Sequence, residues 1–511
     1  MSLTSAQFFL FFAISLLIYY LLPGKIQWIA LLIFSVSFYV LSAAPYTGVY
    51  LLTSIVATTI CVNWIARCKQ EKKETGANVG LIVALVVNIG LLALLKYSNF
   101  VSANVNRIAA VLGVPLNIPS INLLPSLGIS FYTMQVLAYI LDSYWGIITP
   151  ETNLFKTALF IGYYPQLTSG PIARFQDVGP QLFAGHRFDA RVVSSGAIRI
   201  LWGVFKKLVI ASRCGIIVDT IFADTVTYQG LYIWLAAALF MMQLYADFSG
   251  CMDIIIGASE CYGVVLPENF RTPFFSHSVQ EFWQRWHITL GGFMRDYVMY
   301  PVLRSKLWRK MTKWLKSHWG KKAAKQIPSY LGMLCVWLLM GLWHGGGWKY
   351  IIGQGMWFWS MIVLSQIFEP CFKKLHKVLK IDTECFSWRL FQSVRVFFLV
   401  CIGNIFFRLG SFGEAFRTIK IGLTNWDVRF LLDGSLYQLG LGEKDFRLMV
   451  ISLVVLLIVD LLSDKDSVRK RLSRQNIGFR YLILLLLIFA ILIFGMYGIG
   501  YDAQSFIYEG F

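Results

Sequence analysis

The sequence predicts an all-α polytopic membrane protein. Three observations lead there. The 511-residue chain is 57% hydrophobic and only 14% charged, more apolar than a soluble domain of its size. Its apolar residues gather in runs of about 17–20, long enough to cross a bilayer as helices. Its Lys and Arg collect in short links between those runs, the positive-inside pattern. Backbone groups in lipid must be satisfied internally. No alternating ten-residue pattern suggests a barrel, so the spanning elements are helices.

The same distribution excludes other classes. A net charge of +19 would suit a nucleic-acid binder, but the cations lie in topogenic loops, so nucleic acid is not an expected partner. Nine cysteines contain no Cys-x-x-Cys pair, and several lie within apolar runs; neither a disulfide framework nor a zinc site is expected. No basic segment precedes the first apolar run, so no cleavable signal peptide is expected.

In chain order, the first runs fall at about 6–22, 26–43, 47–65 and 78–96. The basic link at 66–77 belongs inside, which puts the N-terminus outside, Lys25 inside and the charge-free turn 42–47 outside. A fifth span follows at about 124–142. Tyr164 to Arg174 is short and rich in Gly and Pro, and reads as a re-entrant or broken segment covered by protein or water. Lys206, Lys207 and Arg213 suggest a helix lying at the cytoplasmic face.

Two spans fit 228–246 and about 251–265, with Asp247-Phe-Ser-Gly250-Cys-Met-Asp253 between them. Two acids there read either as facing a cavity or partner, or as a helix break with one capping Asp. Ser278-Val-Gln-Glu281 resembles a capping box that opens a central helix, Glu281 and Arg285 can pair on one face, and Pro301 ends it. Residues 304–325 hold nine Lys or Arg and no acid, with Trp308, Trp314 and Trp319 as interfacial anchors, and belong inside. Spans at about 329–344, 349–368, 390–410, 446–462 and 480–498 complete twelve crossings, with the C-terminus outside.

The six histidines include two, His287 and His344, in Trp-rich apolar sequence. Ionisable residues there are costly and are functional candidates. His344 ends a span and precedes three glycines, so a ligand can come close to its ring, with Trp343 and Trp348 as rigid walls. A neutral imidazole in such a place can accept a hydroxyl proton; the alternative is a hydrogen bond to a neighbouring helix. His287 has the same two readings, catalytic or structural. Neither histidine has a ligand at i+3 or i+4, so no metal is expected. No nucleophile elbow or phosphate loop occurs.

Six ordered motifs carry a resemblance: Tyr163-Tyr-Pro-Gln-Leu-Thr-Ser-Gly-Pro-Ile-Ala-Arg-Phe175, Asp247-Phe-Ser-Gly250, Pro267-Glu-Asn-Phe270, Glu281-Phe-Trp-Gln-Arg-Trp-His-Ile-Thr-Leu290, Arg295-Asp-Tyr297 and Gly341-Leu-Trp-His-Gly345. They resemble the membrane-bound O-acyltransferase family, in its bacterial branch, over roughly residues 1–370. The resemblance implies one integral membrane domain over 1–511: N-terminal helices at 1–120, a catalytic core at 121–370 and C-terminal helices at 371–511. It implies a ring of tilted helices around a funnel, with catalysis at His344 and a second functional histidine, His287, on the cytoplasmic side. Through their motifs it implies pocket or channel lining by Trp343, Asp247, Ser249, Asn269, Arg174, Arg295 and Asp296.

Two subfamilies compete. The length, the C-terminal spans and the ending Ser505-Phe-Ile-Tyr-Glu-Gly-Phe511 resemble the membrane subunit of alginate-type polysaccharide O-acetyltransferases. The other subfamily transfers D-alanine to teichoic acids. The acetylating group usually carries Gly-Gly-Asn-Arg after Tyr300-Pro301, where this chain has Val302-Leu-Arg-Ser-Lys306. The implied activity moves an acetyl group from a cytoplasmic thioester such as acetyl-CoA to a cell-surface polysaccharide, directly or through an extracytoplasmic esterase-like partner. No bound cofactor is expected, and the location is the bacterial cytoplasmic membrane. A transporter without acyl chemistry is the reading of another class, and the broken segment with Asp247 and Asp253 would suit it.

Overall fold

In the computed structural model the described residues, 1–424, 426–464 and 467–498, are predominantly helical. Among them, eight helices are long and apolar enough to cross a membrane, or nine when the pair Lys349–Ile367 and Glu369–Val378, bent by 56°, is one span. Ala6–Leu21 is a shorter apolar helix. Its start is set by the Ser5 hydroxyl, which accepts from the Phe8 N–H at 3.2 Å, and Pro23 follows its end. The ending at 505–511 and the sidedness expected of the C-terminus lie outside the described residues.

The chain divides into two units. Among the described residues the first comprises Met1–Val204 and Cys251–Glu268, the second Phe205–Gly250 and residues 269–498. The expected core at 121–370 contributes to both.

In the first unit the segment at 164–174 is broken, as the sequence predicts. Helix Leu154–Gly162 stops, Tyr164–Leu167 makes one turn, and regular structure resumes only at Phe175–Phe183. The non-helical backbone is buried, so protein groups must satisfy it. The Gln166 side-chain amide donates to the Pro171 carbonyl and to Gln135 Oε1, both at 2.8 Å. The Tyr164 hydroxyl joins those of Ser15, at 3.1 Å, and Tyr262, at 2.6 Å. Gly128 begins helix Ile129–Trp145 at φ +70°, and a Cβ there would lie 1.9 Å from the Leu167 carbonyl oxygen, so glycine is required for the close approach.

The spans expected at 228–246 and 251–265 are one unbroken helix, Leu231–Cys261. Its 31 residues extend about 46 Å, beyond a hydrocarbon core of roughly 30 Å. No break is needed, because partners neutralise both acids in place. Asp247 pairs with Lys207. Asp253 accepts from Arg199 at 2.8 Å, and Glu260 and Glu268 bind the same guanidinium. The surface helix expected around Lys206, Lys207 and Arg213 is also corrected: all three side chains are buried. Lys206 donates to the Ser249 hydroxyl at 2.8 Å, and Arg213 pairs with Asp445 at 3.0 Å. Buried charges must be paired, and these cations serve that end.

In the second unit, helix Gly320–His344 packs on a π-helical stretch, Lys349–Met356. Two glycines set the separation. A Cβ on Gly341 would lie 2.5 Å from the Tyr350 carbonyl oxygen, and one on Gly355 would lie 2.7 Å from that of Trp337. Before it, helix Lys306–His318 keeps its Lys and Arg exposed; Trp314 and Trp319 are exposed as well, while the half-buried Trp308 donates from Nε1 to the Pro328 carbonyl at 3.2 Å.

Candidate active site

The site is built within the second unit. The cap forms with a shifted partner: the Ser278 hydroxyl accepts from the Glu281 N–H at 3.1 Å, and the Glu281 carboxylate accepts at 2.8 Å from the N–H of His277, one residue before the cap, rather than from that of Ser278. Glu281 also pairs with Arg285 at 2.8 Å, as the i,i+4 spacing predicts. Arg285 donates in addition to Asp464, whose other donor is the Thr272 hydroxyl.

The helix then breaks earlier than expected, which corrects the sequence reading. Val279–Arg285 ends, Ile288–Phe293 begins, and His287 stands between them at φ +47°. The left-handed region is rarely occupied by a residue with a Cβ, and such strain persists only where the surroundings impose it. Here an adjacent extended segment does so. Phe270 and Trp286 form an antiparallel bridge, the Arg271 N–H donates to the Arg285 carbonyl at 2.9 Å, and the Ile288 N–H donates to that of Asn269 at 3.0 Å. Pro301 does not end the helix: helical structure runs from Ile288–Phe293 through the π-helical stretch Met294–Met299 and continues past the proline to Arg304.

His287 is buried and held on three sides. Its Nδ1 lies 3.1 Å from Asn269 Oδ1. Phe248 meets its ring edge-on at 4.9 Å between centroids, and the Trp343 ring lies at 5.7 Å. His344 is the last residue of its helix, as expected, and is buried against Trp343 and against Phe407, whose ring lies at 5.6 Å. Lys349 fixes that neighbour by donating to the Leu409 carbonyl at 2.6 Å, just past the end of helix Phe386–Arg408.

Both histidines line one cavity of about 130 Å³. Its other walls are largely apolar, from Trp283, Trp286, Leu290 and Met294 on one side and Val336, Trp337 and Met340 on the other. A space this size holds a small acyl group and a reacting hydroxyl, with two imidazoles as the ionisable side chains of its lining. Imidazole is suited to moving a proton near neutral pH.

Of the residues predicted for the site, His344, His287, Trp343 and Asn269 come together. Asp247 and Ser249 flank Phe248 but are engaged by Lys207 and Lys206. Arg295 and Asp296 pair with each other at 2.8 Å, with Arg295 over half exposed, and neither is among the cavity-lining residues. Arg174 lies in the first unit, at the start of helix Phe175–Phe183. Trp348, expected as a wall, is half exposed; Trp283, Trp286 and Trp337 are the tryptophans that line the cavity. Part of the lining was readable in helical spacing, since Val336, Met340 and His344 are four apart on one helix; Trp286 and Trp337 fall outside that spacing, and the break at His287 interrupts any single face running from Trp283 to Met294.

A family model described as the membrane-bound O-acyltransferase family matches residues 150–412, which include both histidines. A protein named probable alginate O-acetylase from Azotobacter vinelandii is 32% identical over 414 residues, 80% of this chain and 75% of the relative. A peptidoglycan O-acetyltransferase from Helicobacter pylori is 26% identical over 394 residues, 72% and 69% of the two chains. A teichoic acid D-alanyltransferase from Bacillus subtilis is 29% identical over 299 residues, 57% and 70%.

Proposed function

Because the chain belongs to the membrane-bound O-acyltransferase family and is an O-acyltransferase, we propose that it carries an acetyl group from a cytoplasmic thioester to hydroxyls of a cell-surface polysaccharide. The observation that carries this reading is the cavity shared by His287 and His344. His344 takes the proton of the acceptor hydroxyl as its oxygen attacks the acyl carbon. The carbon–sulfur bond breaks and the thiol leaves with a proton. The donor is acetyl-CoA or another acyl thioester, drawn toward the exposed cations of Lys306–His318. The acceptor receives the acetyl group directly or through an extracytoplasmic esterase-like partner.

Acetyl is favoured over D-alanyl because the acetylase relative is matched over 80% of this chain and the D-alanyltransferase over 57%. Mass analysis of surface glycans from a strain lacking the chain tests the choice. Ester-linked acetyl should disappear with D-alanine unchanged; the reverse outcome would assign the chain to teichoic acid modification.

In the same reading the protein lies in the bacterial cytoplasmic membrane, with both termini outside and 304–325 inside. Since Leu231–Cys261 is a single helix, this requires one further crossing between residues 146 and 303, where 190–223 is a continuous helical run with a π-helical stretch at Lys206–Ala211. A reporter near Lys316 should read cytoplasmic and one at Phe511 extracytoplasmic; equal sidedness contradicts it.

A further inference from the structure

Asn269 makes contacts that define the chemistry of His287. Its side-chain oxygen faces three groups: the Thr289 N–H at 3.1 Å, the Thr289 hydroxyl at 2.9 Å and His287 Nδ1 at 3.1 Å. The first decides the identity of the atom. A backbone N–H only donates, so the Asn269 atom facing it is the carbonyl oxygen and not the amide nitrogen. An amide oxygen only accepts, so His287 Nδ1 must carry a hydrogen. A neutral imidazole has one N–H, and the other nitrogen, Nε2, therefore holds the lone pair.

The orientation is set from several directions. Asn269 is itself buried, and its backbone carbonyl accepts from the Ile288 N–H, next to the histidine. The strained backbone at His287 and the edge-on Phe248 ring keep the imidazole in this position. Thr289, two residues on, supplies two of the donors that anchor the amide oxygen.

We infer that Asn269 is a positioning residue that locks His287 in the Nδ1–H tautomer, so that the neutral ring offers the reaction Nε2 as a proton acceptor. In this state His287 has no N–H left for an oxyanion, since its only one is spent on Asn269. It therefore complements His344 in the same proton transfer: the proton that leaves the acceptor hydroxyl can rest on its Nε2 and pass from there to the departing sulfur. The inference rests on the acyl-transfer reading for its use, but the tautomer itself does not.

Two measurements separate those failures. Nitrogen-15 histidine spectra of the intact protein in detergent, with His287→Gln identifying the signal, should show a protonated Nδ1 and an unprotonated Nε2 at neutral pH. The opposite pattern overturns the proposal whatever the activity. The second is the pH profile of acetyl transfer, normalised to protein in the membrane. Asn269→Ala should lower transfer by about tenfold or more, a modest share of what a positioned base supplies. Asn269→Asp still accepts from Nδ1–H and should restore most of the rate. Its carboxylate stabilises the imidazolium and raises the pH at which His287 loses its proton, so the acid limb of the profile should move to higher pH. An Asp variant with an unmoved acid limb, or one as inactive as Ala at equal protein level, contradicts the role. If neither variant transfers acetyl and the parent does not either, the acyl-transfer reading fails while the spectra still decide the tautomer.

Discussion

His344→Ala should leave the protein in the membrane at its normal level and remove most acyl transfer. The side chain ends its helix, lines the cavity and packs on Trp343 and Phe407. Replacing it removes ring contacts with Trp343 and Phe407 at the end of the helix but leaves the glycine contacts that space that helix in place, so folding is largely spared. The chemistry is not. A positioned general base is worth on the order of 10²–10⁴ in rate, and the acceptor hydroxyl loses it. Polysaccharide acetylation normalised to membrane protein is the measurement. His287→Ala should also lower transfer, with some loss of protein, because this side chain is tied to Asn269 and to the Phe248 ring. If His344→Ala acetylates nearly as well as the parent, His344 is a packing residue at the end of its helix.

Gly341→Val should destabilise the second unit and close the site. The first carbon added would lie 2.5 Å from the Tyr350 carbonyl oxygen and 2.8 Å from Ile351 Cα. These are backbone atoms of the π-helical stretch and cannot turn aside as a flexible side chain does. The helix carrying His344 must move away, or the stretch at 349–356 must deform. Overpacking of this kind costs about 1–3 kcal/mol, and a valine adds two further methyl groups to the clash. Thermal unfolding in detergent should show a clear fall in Tm, with transfer lost alongside. Gly413→Ala is the control, since nothing lies within 4 Å of the carbon it adds. Equal unfolding temperatures for Gly341→Val and the parent would mean that this contact does not set the helix spacing.

The helices were legible because an apolar run of membrane length has few other uses. The first four runs reappear as helices starting at Ala6, Gln27, Gly48 and Glu74. The broken segment at 164–174 was legible from Gly and Pro. The continuity of Leu231–Cys261 was not, because Asp247 and Asp253 resemble a break until their partners Lys207 and Arg199, about 40–54 residues away, are known. For the same reason Lys206 and Lys207 read as a surface face. The kink at His287 left no local signal: neither Gly nor Pro stands there, and the bend is imposed by pairing with the chain at 269–271. The two histidines were singled out by their apolar surroundings, but a single cavity uniting them is a tertiary fact. Its tryptophan walls were not readable from spacing, because the break at His287 interrupts the face that begins at Trp283; Trp348, adjacent to the glycines in sequence, is half exposed.

Acyl transfer across the membrane can be followed by supplying a labelled acetyl thioester to the cytoplasmic face of inside-out membrane vesicles that retain the protein, its partners and the surface glycan. Alkali-labile label should appear on the glycan of vesicles carrying the parent chain, and little on that of vesicles with an equal amount of the His344→Ala protein. Equal labelling by the two, or equal labelling in vesicles without the chain, would contradict this reading.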